Sequence, residues 1–239
     1  LLGIIVHLLI ANTRINMPSK NAQAYELIRV KLFSGNYMFG EAISVKELSE
    51  ETGISRQPIM TALYRLQEQG FVEIIAQVGC KVVQPELQTV LDFYEMFAAI
   101  ESVLVGFAAQ RAQPTELYRL KSLHAQISAL NPSHPQVEQH YRQLNIEFHK
   151  ELHTLAKSPQ VSLRQQANFD LSDFYLLQTQ SFKQNLPFAG HEHQSIILAI
   201  ENKDNLQAAQ LAREHILNVA ENIKKTWRKS TPYLSQTRQ

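Results

Sequence analysis

The 239-residue sequence has a single cysteine, Cys80. That excludes an intramolecular disulfide framework and a cysteine-rich zinc site, and it fits cytoplasmic residence. Glycine is scarce, with eight in the whole chain, which points to a mostly helical protein. An excess of charge of one sign is missing too. The 23 Lys and Arg oppose 22 Asp and Glu, leaving +1 with histidine neutral. Such a balance gives no support to a generally basic nucleic-acid binder. No apolar run reaches the length of about 18 residues that suggests a membrane span. Leu1–Ile10 is apolar apart from His7, but a bilayer needs about 20 residues. A secretory signal would want a basic start and a small-residue cleavage site, and this segment has neither. Met17-Pro18-Ser19-Lys20 reads as a natural start, so residues 1–20 are set apart as an extension. Hydrophobic residues make up 44% and charged residues 19%, enough for a real core in one large or two small domains. Histidine is the residue in notable supply, with nine.

The first half reads as three short helices and a hairpin. Apolar residues from Ala22 to Phe33 fall mostly on one helical face. Ser44-Val45-Lys46-Glu47 has the form of a capping box and starts a second helix, which ends near Gly53. Ser55 is expected to cap a third, with Pro58 in its first turn. Phe71–Ile75 and Lys81–Val83 are β-like runs around a turn at Gln77–Cys80. This is a winged helix-turn-helix outline. From Glu86 onward the pattern is helical, with candidate helices at 87–112, 115–130, 136–157, 159–185, 191–201 and 204–228. Prolines fall in the expected breaks. The fold class is therefore mainly α, an N-terminal winged helix-turn-helix (21–84) followed by an antiparallel all-helical bundle (87–229) and a tail (230–239).

In a helix-turn-helix the second helix enters the major groove, so Ser55, Arg56 and Gln57 face bases and phosphates. Arginine can fork onto guanine or clamp a phosphate. Lys46 starts the preceding helix, where a phosphate would pass. Gly79, at the wing tip, lets backbone approach the duplex. The plainer reading of Arg56 and Lys46 is ordinary solvated charge. Over 21–84 six basic residues oppose seven acidic ones, a net of −1, so non-specific affinity should be modest.

The stretch resembles the GntR family of bacterial transcription regulators over residues 21–84. The resemblance is carried by Tyr25-Glu26-Leu27-Ile28-Arg29, Gly40, Lys46-Glu47-Leu48, Gly53-Ile54-Ser55-Arg56-Gln57-Pro58, Ala62-Leu63, Arg65-Leu66, Gly70 and Gly79. It implies a DNA-reading set of Lys46, Ser55, Arg56, Gln57, Arg65 and Gly79, double-stranded operator DNA as partner, and a homodimer on a two-fold site. Phe39 stands where the family usually has Pro, and Met60 where it commonly has a second DNA-contacting Arg.

Among the histidines, Asn145 and His149 are i, i+4 and share a helix face. His193 follows Glu192, and His215 lies in the last helix. Ligands from three helices can converge in a bundle core, and imidazole suits zinc, nickel, copper or iron. Spacing alone leaves core or surface histidines as an open alternative, with His153 and His191 as rival ligands. Asn145-Ile146-Glu147-Phe148-His149, Glu192 to Ile200, Asp204, Ala208, Ala209 and His215-Ile216 resemble the FCD ligand-sensing domain of the FadR subfamily. Tyr94-Glu95 and Ile100-Glu101 match its first helix. The resemblance covers about 90–222. It implies a divalent metal, zinc or nickel, held by Asn145, His149, His193 and His215, with an organic acid nearby. Asn145 replaces the commoner Asp. Phe97 replaces an Arg that would bind a carboxylate, which leaves room for a more apolar ligand. Phe97, Tyr94 and Glu101 are the expected effector pocket. The whole implies a ligand-responsive, cytoplasmic, non-enzymatic transcription regulator without a membrane partner. Two alternatives stand: a metal-dependent hydrolase with Glu147 or Glu192 as base, and a DNA-binding dimer whose sensor pocket is degenerate. Cys80 reads as an inert thiol, and Lys224, Lys225, Arg228 and Lys229 as a solvated helix end.

Overall fold

A computed structural model of the chain describes residues 19–227. The 230–239 tail and most of the 1–20 extension lie outside the described residues, as do Arg228 and Lys229. The described chain divides into two compact units, the first ending at Val82 and the second beginning at Val83.

The first unit contains α1 (Lys20–Phe33), β1 (Ala42–Ile43), α2 (Val45–Thr52), α3 (Arg56–Glu68), β2 (Val72–Ile75) and β3 (Gly79–Val82). Local signals set these ends. The Ser19 hydroxyl accepts the Ala22 N–H, and the Ser44 hydroxyl accepts that of Glu47, each at 3.2 Å, which satisfies donors at two helix starts. Gly53 stops α2 at φ 66° and returns its N–H to the Ser49 carbonyl, a left-handed cap that glycine adopts without a Cβ clash. Ser55 holds the N-cap position of α3 in extended backbone, but its side chain makes no capping bond. Ile28, Leu32, Leu48, Ile59, Leu63, Leu66 and Phe71 form the buried core beneath.

The sheet order is β1-β3-β2. The β2–β3 hairpin is the expected wing, with Glu73 opposite Lys81. It turns through Gln77 at φ 63° and Gly79 at φ 138°. Strand β1 was not anticipated. Its two residues pair with Lys81 and Cys80, and two residues carry no period-two signal.

The second unit holds α4 (Leu87–Arg111), a 3-10 turn (Pro114–Leu117), α5 (Tyr118–Ser128), α6 (Val137–Leu155), α7 (Pro159–Gln178), α8 (Phe182–Glu201) and α9 (Asn205–Trp227). Helix α4 packs against α6, α7, α8 and α9. It packs most extensively against α9, where a Cβ on Gly106 would already be in van der Waals contact with Ala209 and the Asn205 carbonyl. One boundary differs from expectation. The sequence pattern runs a helix over 159–185 and breaks it at Pro187. Instead the break falls at 179–181, and Pro187 lies inside α8. Gln180 takes φ 53° there. Buried hydroxyls hold the turn: Thr179 bonds to the Tyr175 carbonyl at 2.7 Å, and Ser181 to the Thr226 hydroxyl at 2.6 Å. No described helix is long and apolar enough to cross a membrane.

Candidate functional site

In the first unit, Ser55, Arg56 and Gln57 are all exposed at the start of α3. Lys46 is exposed on α2, 3.8 Å from Glu50 one turn on. Arg65 is held differently. Its guanidinium lies 4.0 Å over the Tyr25 ring, and the Tyr25 hydroxyl donates to Gln69 at 2.8 Å. This cation–π contact fixes the approach of the side chain. A groove of about 400 Å³ between α3 and the wing is lined by Arg56, Met60, Tyr64, Gln77, Val78 and Gly79 among others. Tyr64 and Val78 stand out of it, 53% and 79% exposed, and were not among the expected contacts. Cys80 is buried beside the groove, and burial pushes its thiol up to about 11.

In the second unit, His149 from α6, His193 from α8 and His215 from α9 meet. All three are buried, and one ligand atom from each lies within 4.8 Å of the others. Phe148 lies flat on His193, ring centres 3.9 Å apart and planes 12° apart. His193 is fully buried, yet neither ring nitrogen has a hydrogen-bond partner. The Asn145 carbonyl oxygen, one turn before His149, is likewise buried and unpartnered. Three helices thus bring one imidazole nitrogen each to within 4.8 Å of the others.

The other two histidines are oriented by carboxylates. His149 Nδ1 lies 2.9 Å from Glu101 Oε1, and His215 Nδ1 lies 2.6 Å from Glu192 Oε2. Burial would raise Glu101, but His153 and His149 outweigh it and hold the group well below the usual carboxylate range. Glu192 is also held down, its burial offset by His215. An ionised carboxylate only accepts, so Nδ1 carries the proton in both rings. Their Nε2 atoms then face each other at 3.3 Å. Between two neutral rings that approach has no proton to share, and a cation held by both Nε2 atoms would satisfy them together. Zinc–nitrogen bonds of about 2.0–2.1 Å would put two ligands of one tetrahedral ion about 3.3–3.4 Å apart. Burial also pushes His149 and His193 below the ordinary histidine range, His193 the further, which favours the neutral rings a metal requires.

A cavity of about 40 Å³ adjoins Asn145, His149 and His215. Phe97 lines it. Tyr94 and Glu101 do not: Tyr94 sits behind it, its hydroxyl 2.9 Å from that of Ser172, and the Glu101 carboxylate is taken up by His149, His153 and Gln165. Arg142 and Asp173 line the cavity and were missed. Arg142 Nε reaches both Asp173 oxygens, at 2.8 and 2.7 Å. The signal was available, because Arg142, Asn145 and His149 are spaced i, i+3, i+7 on one helix face.

The rival ligands fall away from the trio. His153 Nε2 is turned to Glu101 at 2.9 Å, and His191 is exposed. Glu147, one of the two hydrolase bases considered, lies on the surface 3.6 Å from Arg119.

Residues 92–218 match the FCD domain, and residues 20–82 match the bacterial regulatory proteins of the gntR family. The chain belongs to the GntR family of bacterial transcription regulators, in its FCD-carrying branch. It is 32% identical to the Nta operon transcriptional regulator of Aminobacter aminovorans over 47% of this chain, a match that spans 57% of that relative. The HTH-type transcriptional repressor GlaR of Escherichia coli is 22% identical, over 84% of this chain and 94% of that one. Two solved structures share the fold. Escherichia coli McbR/YncC has a TM-score of 0.67 at 17% identity, covering 89% of this chain and 99% of that one. A regulator from Rhodococcus sp. RHA1 has 0.71 at 15%, covering 87% and 99%. Both families consist of regulators and not enzymes, so the hydrolase alternative is set aside.

Proposed function

We propose that this regulator binds operator DNA as a homodimer and responds to an organic acid bound beside a metal ion held by Asn145, His149, His193 and His215. The observation that carries the metal is His193. A fully buried imidazole with two unpaired nitrogens forfeits about 1–3 kcal/mol for each unsatisfied group, and coordination would end that loss. Three neutral imidazoles and an amide oxygen suit zinc or nickel better than a hard cation. When bound, the ion supplies a Lewis-acid position for an anionic oxygen of the effector.

The chain's own residues do the rest. Phe97, Phe169 and Leu176 give the cavity an apolar wall. Arg142 supplies the cation absent at position 97, and Asp173 holds it in place. The ligand's acid group would compete with Asp173 for that guanidinium. An effector shifts DNA affinity only through unequal affinity for two arrangements of the sensor, and DNA must bias effector binding reciprocally. DNA recognition falls to Lys46, Ser55, Arg56, Gln57, Arg65 and the Gly79 turn in a head spanning 21–84, with 87–229 as sensor. A head of net charge −1 gains little from counterion release, and two copies on a two-fold operator compensate through effective concentration. Met96 and Val103, two turns apart on α4, are 48% and 46% exposed and supply apolar area for a second copy. The regulator would work in the cytoplasm, where its operator lies.

The test pairs two measurements on the full chain. Elemental analysis of the purified protein should find zinc or nickel near one ion per protomer. Operator affinity should then change with one member of a panel of small carboxylic acids, and the change should vanish on metal removal. Metal-free protein that cannot be loaded would refute the centre. Loaded protein whose operator affinity ignores every acid would refute the effector class.

A further inference from the structure

Two of the three histidines have a carboxylate directly behind them, and the third has none. Glu101, on α4, is fully buried and receives three bonds, from His149 Nδ1, His153 Nε2 and Gln165 Nε2, each at 2.9 Å. The Gln165 amide is itself locked, because Asn168 donates to its oxygen at 2.9 Å. Glu192, one residue before His193, receives His215 Nδ1 at 2.6 Å and Asn218 Nδ2 at 2.7 Å. Neither carboxylate belongs to the trio whose atoms converge.

We infer that Glu101 and Glu192 are positioning residues for the metal centre, fixing the tautomers of His149 and His215 and supplying the charge that the ligand set lacks. The inference rests on the metal reading above. Its first part is geometric. With each Nδ1 bonded to a carboxylate oxygen, at 2.9 and 2.6 Å, the nitrogen left to each ring is Nε2, and the two Nε2 atoms lie 3.3 Å apart. A ring free to flip would offer either nitrogen.

The second part is electrostatic. Asn145 and three neutral imidazoles bring no charge to a divalent ion buried in a helical core. Negative charge close to such a ligand set would favour a divalent ion there. Glu101 and Glu192 carry two negative charges one hydrogen bond beyond the ligands. A carboxylate behind an imidazole also makes it a stronger donor, and losing such a partner typically weakens metal binding about 10–100-fold. Glu101 is fully buried and already bonded to His149, His153 and Gln165, so its carboxylate is held in place behind the His149 ring. The negative charge that an Asp at 145 would place in contact with the metal is here one bond further out.

The experiment uses full-length, metal-stripped protein. Zinc is titrated against a competing chelator for wild type, E101Q, E192Q and H193L, and cobalt(II) spectra are recorded in parallel. Glutamine keeps the size and the acceptor oxygen and removes the charge. E101Q and E192Q should each weaken zinc about 10–100-fold while the cobalt bands keep their wavelengths, since the ligands are unchanged. H193L should abolish the bands. Glu192 is partly exposed and glutamine can still accept from His215 or Asn218, so metal-free E192Q should melt somewhat lower than wild type but stay folded, which keeps the zinc titration interpretable if E101Q is unstable. Wild-type zinc affinity in E192Q would overturn the inference and leave the metal reading intact. A wild type that binds neither zinc nor cobalt would overturn both.

Discussion

Phe148 lies parallel to His193 at 3.9 Å between ring centres. The contact joins α6 and α8 and packs against an imidazole that has no hydrogen bond. Stacking of this kind contributes about 0.5–1.5 kcal/mol beyond burial. Phe148→Leu keeps an apolar side chain and removes the flat surface. It should cost about 1–2 kcal/mol of stability and also weaken zinc several-fold, because the His193 ring would be free to turn. Calorimetric titration beside thermal melting separates the two effects. A variant that melts lower with zinc affinity unchanged would show that the stack only packs the core.

His193→Leu yields a sharper expectation, since the metal-free and metal-bound proteins should respond in opposite ways. Without metal, two buried unpaired nitrogens disappear and the variant should melt at or above wild type. With zinc at about 100 times its dissociation constant, wild type should gain about 2.7 kcal/mol and the variant nothing. Melting curves with and without zinc check both statements. A variant less stable than metal-free wild type would mean that His193 is satisfied by groups of its own.

Legibility in the sequence followed the range of the interactions. The reading head was legible because its signals are local: Ser44 three residues before Glu47, Gly53 at a left-handed cap, Gly79 in the wing turn. The break at 179–181 was misplaced because hydroxyls from α9 and the turn itself hold it, through the Ser181–Thr226 bond across 45 residues, while Pro187 offered a stronger local cue. His149 and His215 are 66 residues apart, and only the family resemblance brought them together in advance. Glu101 is expected from the resemblance in an effector pocket, and its carboxylate is bonded to His149 and His153. Its helical position faces the core, and nothing in the chain near it says that histidines, not an effector, will occupy that face. Arg142 was overlooked although it shares a face with Asn145, because its partner Asp173 lies 31 residues away on another helix.

Cys80 makes a pH-dependent prediction with a defined window. Burial raises its folded pKa from 9.0 to about 11. The neutral thiol is therefore favoured in the fold. The corresponding stability is fully present below pH 9 and is lost as pH rises from 9 through about 11. Thiolate is the reactive form, so a thiol reagent at pH 8 should modify folded protein far more slowly than protein in denaturant. Equal rates would place the sulfur in solvent.

Arg56 is exposed at the start of α3, borders the groove with the wing, and contributes nothing to the core beneath it. Arg56→Ala should leave the melting temperature and the zinc content unchanged. Its effect on DNA depends on what the guanidinium touches. A bidentate contact to guanine is worth about 1–3 kcal/mol of discrimination and its loss relaxes sequence preference at one position. A phosphate contact would weaken all sequences alike and lower the salt dependence by about one counterion. Duplexes selected from a random pool by wild type supply the operator, and binding measured from low to high salt distinguishes the two cases. Met60, one turn further on, offers no charge to replace it. Unchanged affinity and unchanged salt dependence would remove Arg56 from the interface.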